Sequence, residues 1–107
     1  MITSFENTEY YNMLVEKLYG ELEKAETKHP VFCNKFTNGS HDKWDFAMGR
    51  FKRFNDSHES TAESIIHEEV AEAFEAVTAG RKEDAKTEFL QVALVALRCI
   101  EKLDQGE

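Results

Sequence analysis

A single proline, in a chain whose apolar residues recur at three- and four-residue steps, leaves little room for any fold but a set of helices. Pro30 is that proline, and alternating runs rich in Val, Ile and Thr, which would argue for strands, are missing. The spacing predicts an all-α protein of four helices, over about residues 7–27, 43–55, 61–79 and 82–103. On the first, Tyr11, Leu14, Leu18, Leu22 and Ala25 form one apolar stripe, with Glu9, Glu16, Lys17, Glu23 and Lys24 mostly off it. Lys28-His29-Pro30 closes that helix, because the residue before a proline disfavours the α region. On the second, Trp44, Ala47, Met48, Phe51 and Phe54 recur at helical steps until Asn55-Asp56-Ser57-His58 breaks the pattern. Ser60 is the expected N-cap of the third, with Glu63 completing a capping box and Gly80 marking its stop. The fourth opens near Lys82 with acidic residues in its first turn and carries Arg98 and Lys102 late, as the helix macrodipole favours.

Residues 31–42 read as a connecting loop with Asn38-Gly39 as its turn, and a short helical turn is expected near Val31. Such a loop is long for a compact bundle, and long ordered loops are often functional. At 107 residues the chain is expected to be one domain, whose small core needs a partner to cover it. With 13 basic against 21 acidic side chains, a net of −8, attraction to a nucleic-acid polymer or an anionic membrane is disfavoured. A free nucleotide stays open, because a bound cation inverts the local field. Cys33 and Cys99 match neither a disulfide framework nor a metal-binding pair, so they read as two buried thiols of a reducing cytoplasm. The start, MITSFENTEYY, lacks a basic and then apolar leader pattern, and the longest apolar run, Val92 to Leu97, is too short to span a bilayer. A soluble, cytoplasmic protein is expected.

The acidic residues are where chemistry enters. Glu68-Glu69-x-x-Glu72 is followed, sixteen residues after Glu72, by Glu88-x-x-Gln91. Residues three apart share a helix face, so each pair aims two oxygen donors one way. With Ile66, Val70, Ala73 and Val77 as the core stripe of the third helix, Glu69 falls on its flank among Ala62, Ile65, Ala73 and Ala76, and Glu72 borders Ile65 and Ala76. On the fourth, Glu88 projects between Val92, Val95 and Cys99, while Gln91 lies nearer the polar strip of Thr87 and Arg98. That helix is apolar around most of its circumference, which suggests a second cover from a neighbouring subunit. Carboxylates crowded at a core edge repel one another unless a cation neutralises them. Magnesium, with manganese as a substitute, fits an all-oxygen set that also takes phosphates. EExxE alone is ordinary on a solvated acidic face, and it is the second acidic pair that turns the reading towards a metal site. Position 71 is Ala, so neither HExxH nor Glu-x-x-His is formed with His67 or Glu68; His29, His41 and His58 lack ligand spacing. A glycine-rich phosphate loop and a Gly-x-Ser-x-Gly elbow are missing too.

The stretch IIHEEVAEAFEAV followed by EFLQVALVALRCIEKL resembles the core of the MazG-like proteins of the all-α NTP pyrophosphatase superfamily, whose hallmark is EExxE on one helix and ExxD on the next. The likeness covers the C-terminal third closely, whereas Met1 to Ser57 agrees only in being helical and of suitable length. It implies a four-helix MazG-like bundle over 1–107, completed as a homodimer or a dimer of dimers, that cleaves nucleoside triphosphates to monophosphate and pyrophosphate with magnesium. It further implies Glu69, Glu72, Glu88 and the residue at position 91 as metal ligands, with Glu68 supporting the site or activating water. Gln91 departs from the hallmark Asp and carries one less negative charge. Two readings follow. ExxQ before an apolar run also resembles a subset of phage and bacterial MazG-like sequences, so the change is compatible with an active enzyme. The alternative is a helical interaction or nucleotide-binding protein that kept the bundle and lost catalysis. Lys35, Lys43, Arg50, Lys52 and Arg53 form a basic segment; Lys43, Arg50 and Arg53 are candidates to receive phosphates, or else line a solvated face. Trp44 is a candidate to stack on a nucleobase, or else a core residue. Arg81 and Lys82 are weaker phosphate candidates.

Overall fold

A computed structural model describes the backbone of residues 4–106 and the side chains of residues 8–106. The described residues contain four α-helices and no strand: α1 (Ser4–Lys28), α2 (His41–Ser57), α3 (Ala62–Thr78) and α4 (Lys82–Asp104). They fall into two compact units, one up to Lys35 that holds α1 and one from Phe36 onward that holds the other three helices.

In the first unit, α1 closes where the backbone N–H of His29 donates to Ala25 O at 2.7 Å, just before Pro30. Along α1, Leu18, Tyr19 and Leu22 are exposed. Residues 29–40 carry no helix, so the short turn expected near Val31 does not form. Phe32 in that segment is 86% exposed, and Cys33 beside it is exposed as well. Cys99 on α4 is half-buried and also free. The expectation of two buried thiols is therefore corrected, since Cys33 lies in irregular chain that no helix covers.

Ser40 starts α2 two residues ahead of the expected position, its Oγ accepting from Lys43 N at 3.2 Å. The helix then runs through Asn55 and Asp56 to Ser57. The cap of α3 also differs from the expectation by one residue. Thr61, not Ser60, is the N-cap: Thr61 Oγ1 accepts from Ser64 N at 3.0 Å, and Ser64 Oγ accepts from Thr61 N at 2.9 Å. Ser60 Oγ instead turns back to Asn55 O at 3.5 Å. The shift has a physical cause, because it lets the buried hydroxyl of Ser64 join both the cap and α2, whereas Glu63 stays exposed in the first turn. At the other end Gly80 takes a φ of 79°. Its N–H donates to Val77 O at 3.1 Å and that of Arg81 to Ala76 O at 2.9 Å, the Schellman pattern that a left-handed residue permits. That turn sends α4 back alongside α3.

Within this unit α3 packs against both α2 and α4. The deepest positions of α3 are Ala71, Ala73 and Ala76, Ala73 being 0% exposed, whereas Ile66, Val70 and Val77 of the expected stripe are half-buried. A helix covered on two sides by close neighbours places its smallest residues at the contacts, since interaxial distance follows side-chain size. A chain of rings joins the three helices. Trp44 stacks on Phe74 at 4.9 Å between centroids, Phe74 meets Phe89 edge-on at 5.4 Å, and Phe36 lies 6.3 Å from Phe89. On α4, Leu90 is 72% exposed and Leu94 50%. No helix among the described residues is long and apolar enough to cross a membrane.

If Thr61 caps α3, then Thr61→Ala should cost about 1 kcal/mol and lower Tm by roughly 4–8 °C for a domain of this size. Ser60→Ala should stay within about 0.5 kcal/mol of the parent. Thermal melts of the two variants check this; the reverse order would return the cap to Ser60.

Candidate metal centre

Helix spacing puts Glu68, Glu69 and Glu72 on one side of α3, and the packing of α3 against its neighbours decides what they meet. Each presents a carboxylate oxygen within 4.8 Å of the others. Glu88 reaches them from α4, and Glu72 and Glu88 line a cavity of about 270 Å³ together with Met48, Lys52, Arg81 and Asp84. All four glutamates are half-buried. Two oxygens in this group, Glu69 Oε2 and Glu88 Oε2, are buried with no hydrogen-bond partner. A buried carboxylate oxygen without a partner is costly enough that native structures rarely leave one unexplained.

The electrostatics follow from that crowding. Burial pushes the Glu72 carboxyl up to about 8, helped by hydrogen bonds to Glu88 and Glu68 that only a protonated Glu72 can donate and by the charges of Glu69 and Glu88. Burial likewise raises Glu69, with Glu88 and Glu68 adding repulsion and Lys52 opposing them. Lys52 Nζ stands 3.6 Å from Glu72 Oε1. One half-exposed ammonium does not offset desolvation and three neighbouring acids, so Glu72 moves up despite its ion pair. The donor set is all oxygen and short of positive charge, the chemistry a hard divalent cation satisfies.

From α2 comes a polar anchor that spacing did not point out. Asn55 Nδ2 donates to Glu68 Oε1 at 2.8 Å and to Ser64 O at 3.1 Å, while its Oδ1 accepts from Ser64 Oγ at 2.6 Å. Only the tertiary fold brings Asn55 there; in sequence it reads as a helix breaker. Glu75 was also passed over, although it continues the acidic series three residues after Glu72. It is buried, and the Arg81 guanidinium donates to it directly while reaching Asp84 Oδ2 at 3.2 Å through Nε. His41 Nδ1 lies 3.9 Å from Glu75 Oε2 and 3.1 Å from Thr78 Oγ1. His41, Asp45 and Glu75 thus gather as a second group, but here the buried carboxylate already has a cation.

Gln91 is exposed on α4. Trp44 Nε1 donates to Thr37 Oγ1 at 3.1 Å while its ring lies against Phe74, and Lys43 Nζ sits 4.9 Å over the same ring. Arg50 and Arg53 are exposed on α2. Arg81 is engaged by Glu75 and Asp84. Comparison with known proteins adds no identity, since no family model, curated protein or solved structure matches the chain.

The raised carboxyls carry a pH signature. In a chelator, the folded chain binds more protons than the unfolded one between about 4.5 and about 8, so stability should fall as pH rises across that window. Thermal melts from pH 5 to pH 8.5 with EDTA should show Tm declining, and Glu72→Gln should flatten the decline. A parent Tm that rises through the window would contradict the buried, crowded setting of Glu72.

Proposed function

We propose that this chain is a magnesium-dependent nucleoside triphosphate pyrophosphohydrolase of the MazG-like kind, cleaving NTP or dNTP to the monophosphate and pyrophosphate. The observation that carries the reading is the convergence of Glu68, Glu69 and Glu72 from α3 with Glu88 from α4, two of whose oxygens are buried without partners. Those orphaned oxygens, in a donor set made only of carboxylates, support a bound divalent cation. Glu69, Glu72 and Glu88 would hold magnesium, with manganese able to substitute, and Glu68 would support the site or receive the proton of the attacking water. When bound, the ion neutralises phosphate charge and makes water a better nucleophile at neutral pH. The reaction balances simply: a water oxygen bonds to the α-phosphorus, the bond to the bridging oxygen breaks, and pyrophosphate leaves. Lys52, which lines the same cavity and pairs with Glu72, is a candidate to receive a phosphate oxygen.

Two further parts of the reading rest on surfaces. Leu90 and Leu94 on α4, with Leu18 and Leu22 on α1, expose apolar side chains that a second copy of the chain would cover, which supports a homodimer or a dimer of dimers. A freely diffusing nucleotide substrate is what supports a soluble, cytoplasmic setting. Gln91 favours one alternative, a nucleotide-binding or helical interaction protein without turnover, because it stands exposed and neutral where the MazG-like hallmark has Asp.

Pyrophosphate release from a panel of nucleoside triphosphates, with and without magnesium, tests both readings. The parent should release pyrophosphate only with the metal. Glu69→Gln and Glu72→Gln should each lose more than the roughly 10–100-fold typical of residues that merely support a metal ligand, while keeping parental helix content by circular dichroism. Release unaffected by either substitution would remove the site assignment. Release appearing only in Gln91→Asp would favour the non-catalytic alternative for the natural chain.

A further inference from the structure

We infer that Asn55 is the positioning residue of this centre, an amide on α2 that holds Glu68 on α3 in the orientation the cation cluster needs. The inference rests on the reading of the four glutamates as a cation site and adds a residue outside the EExxE and ExxQ series.

Three short contacts carry it. Both Nδ2 hydrogens of Asn55 are used, one on Glu68 Oε1 at 2.8 Å and one on Ser64 O at 3.1 Å, and its Oδ1 takes the Ser64 hydroxyl at 2.6 Å. The amide therefore has one workable orientation. Flipped, it would set Oδ1 against the Glu68 carboxylate and the Ser64 carbonyl, two acceptors facing an acceptor. The Ser64 hydroxyl is itself buried and accepts from Thr61 N at 2.9 Å, so the amide is tied to the first turn of α3. Asn55 is half-buried, which strengthens hydrogen bonds that water would otherwise compete for.

The consequence for Glu68 is geometric. With Oε1 committed to Asn55, the carboxylate cannot rotate freely into solvent, and it stays among the oxygens that gather within 4.8 Å with Glu69 and Glu72. Without that bond, Glu68 would turn outward to relieve repulsion from its neighbours. Glu68 acts here by supporting the site beside the ligands Glu69 and Glu72, and removing hydrogen-bonding partners around a metal typically changes metal affinity or activity by about 10–100-fold. Lys52, one turn earlier on α2, meets Glu72 at 3.6 Å, so the same face of α2 contacts the cluster at two points.

The test is Mn²⁺ affinity, read from the electron paramagnetic resonance signal of the free ion, for the parent, Asn55→Ala, Ser64→Ala, Glu68→Ala and the double variant Asn55→Ala/Glu68→Ala. Asn55→Ala is expected to bind Mn²⁺ about tenfold or more weakly. Ser64→Ala breaks the same network at the end away from Glu68 and is expected to lose stability while keeping parental affinity within about twofold. In the Glu68→Ala background, Asn55→Ala should have no further effect, because a residue that acts through another is silent in its absence. Should Asn55→Ala fail to fold, Asn55→Ser serves in its place, since it removes the amide that donates to Glu68 and keeps a polar side chain. Parental affinity in the Asn55 variant, an equal loss in Ser64→Ala, or an equal further loss in the double variant would each overturn the positioning role. A parent that binds no Mn²⁺ would instead overturn the cation-site reading beneath it.

Discussion

Four half-buried carboxylates held close together set the terms for the unit from Phe36 onward. Charged oxygens are stable there only if something supplies positive charge or hydrogen bonds. Glu68 has the Asn55 amide, Glu72 has Lys52 at 3.6 Å, and Glu69 Oε2 and Glu88 Oε2 have no partner. The unmet demand takes the form of raised proton affinity at Glu69 and Glu72. A proton is the default neutraliser; a divalent cation would be a better one, satisfying several oxygens at once.

The neighbouring Glu75 shows what a settled buried carboxylate looks like on the same helix. It is as deep as any acidic residue here, yet the Arg81 guanidinium donates to it and His41 stands nearby. Arg81 reaches it because the left-handed Gly80 turns the chain back at the end of α3. One acidic group is thus closed by protein cations, whereas the other keeps two buried oxygens without partners. That contrast, more than the number of glutamates, separates a structural ion pair from a candidate metal centre.

Position in this unit depends on α3 as the shared partner of α2 and α4. Ala71, Ala73 and Ala76 allow the close approach, and the ring series of Trp44, Phe74 and Phe89 ties the three helices together. Trp44 is consequently engaged on one face by Phe74 and at its indole N–H by Thr37. The apolar surface that this arrangement leaves over, on α4 above all, is of the kind that assemblies cover.

Helix content, approximate helix limits and the acidic series were all legible in the chain, because helical periodicity and the three-residue spacing of Glu69 with Glu72 are local properties. So was the stop at Gly80, a position that needs a positive φ. Cap placement was off by one residue because Ser64 serves α2 as well as its own helix, a choice that local sequence does not contain. The depth order along α3 was also misread, since a helix sandwiched on two sides buries its alanines more deeply than its branched residues. Only the tertiary structure decided that Glu88 meets Glu72, that Asn55 holds Glu68, and that Arg81 is spent on Glu75. The physical reason is common to all three. Sequence sets which face of each helix a side chain occupies, whereas the partner across the interface depends on how one helix is rotated and slid against another, and that is fixed by packing summed over the whole unit.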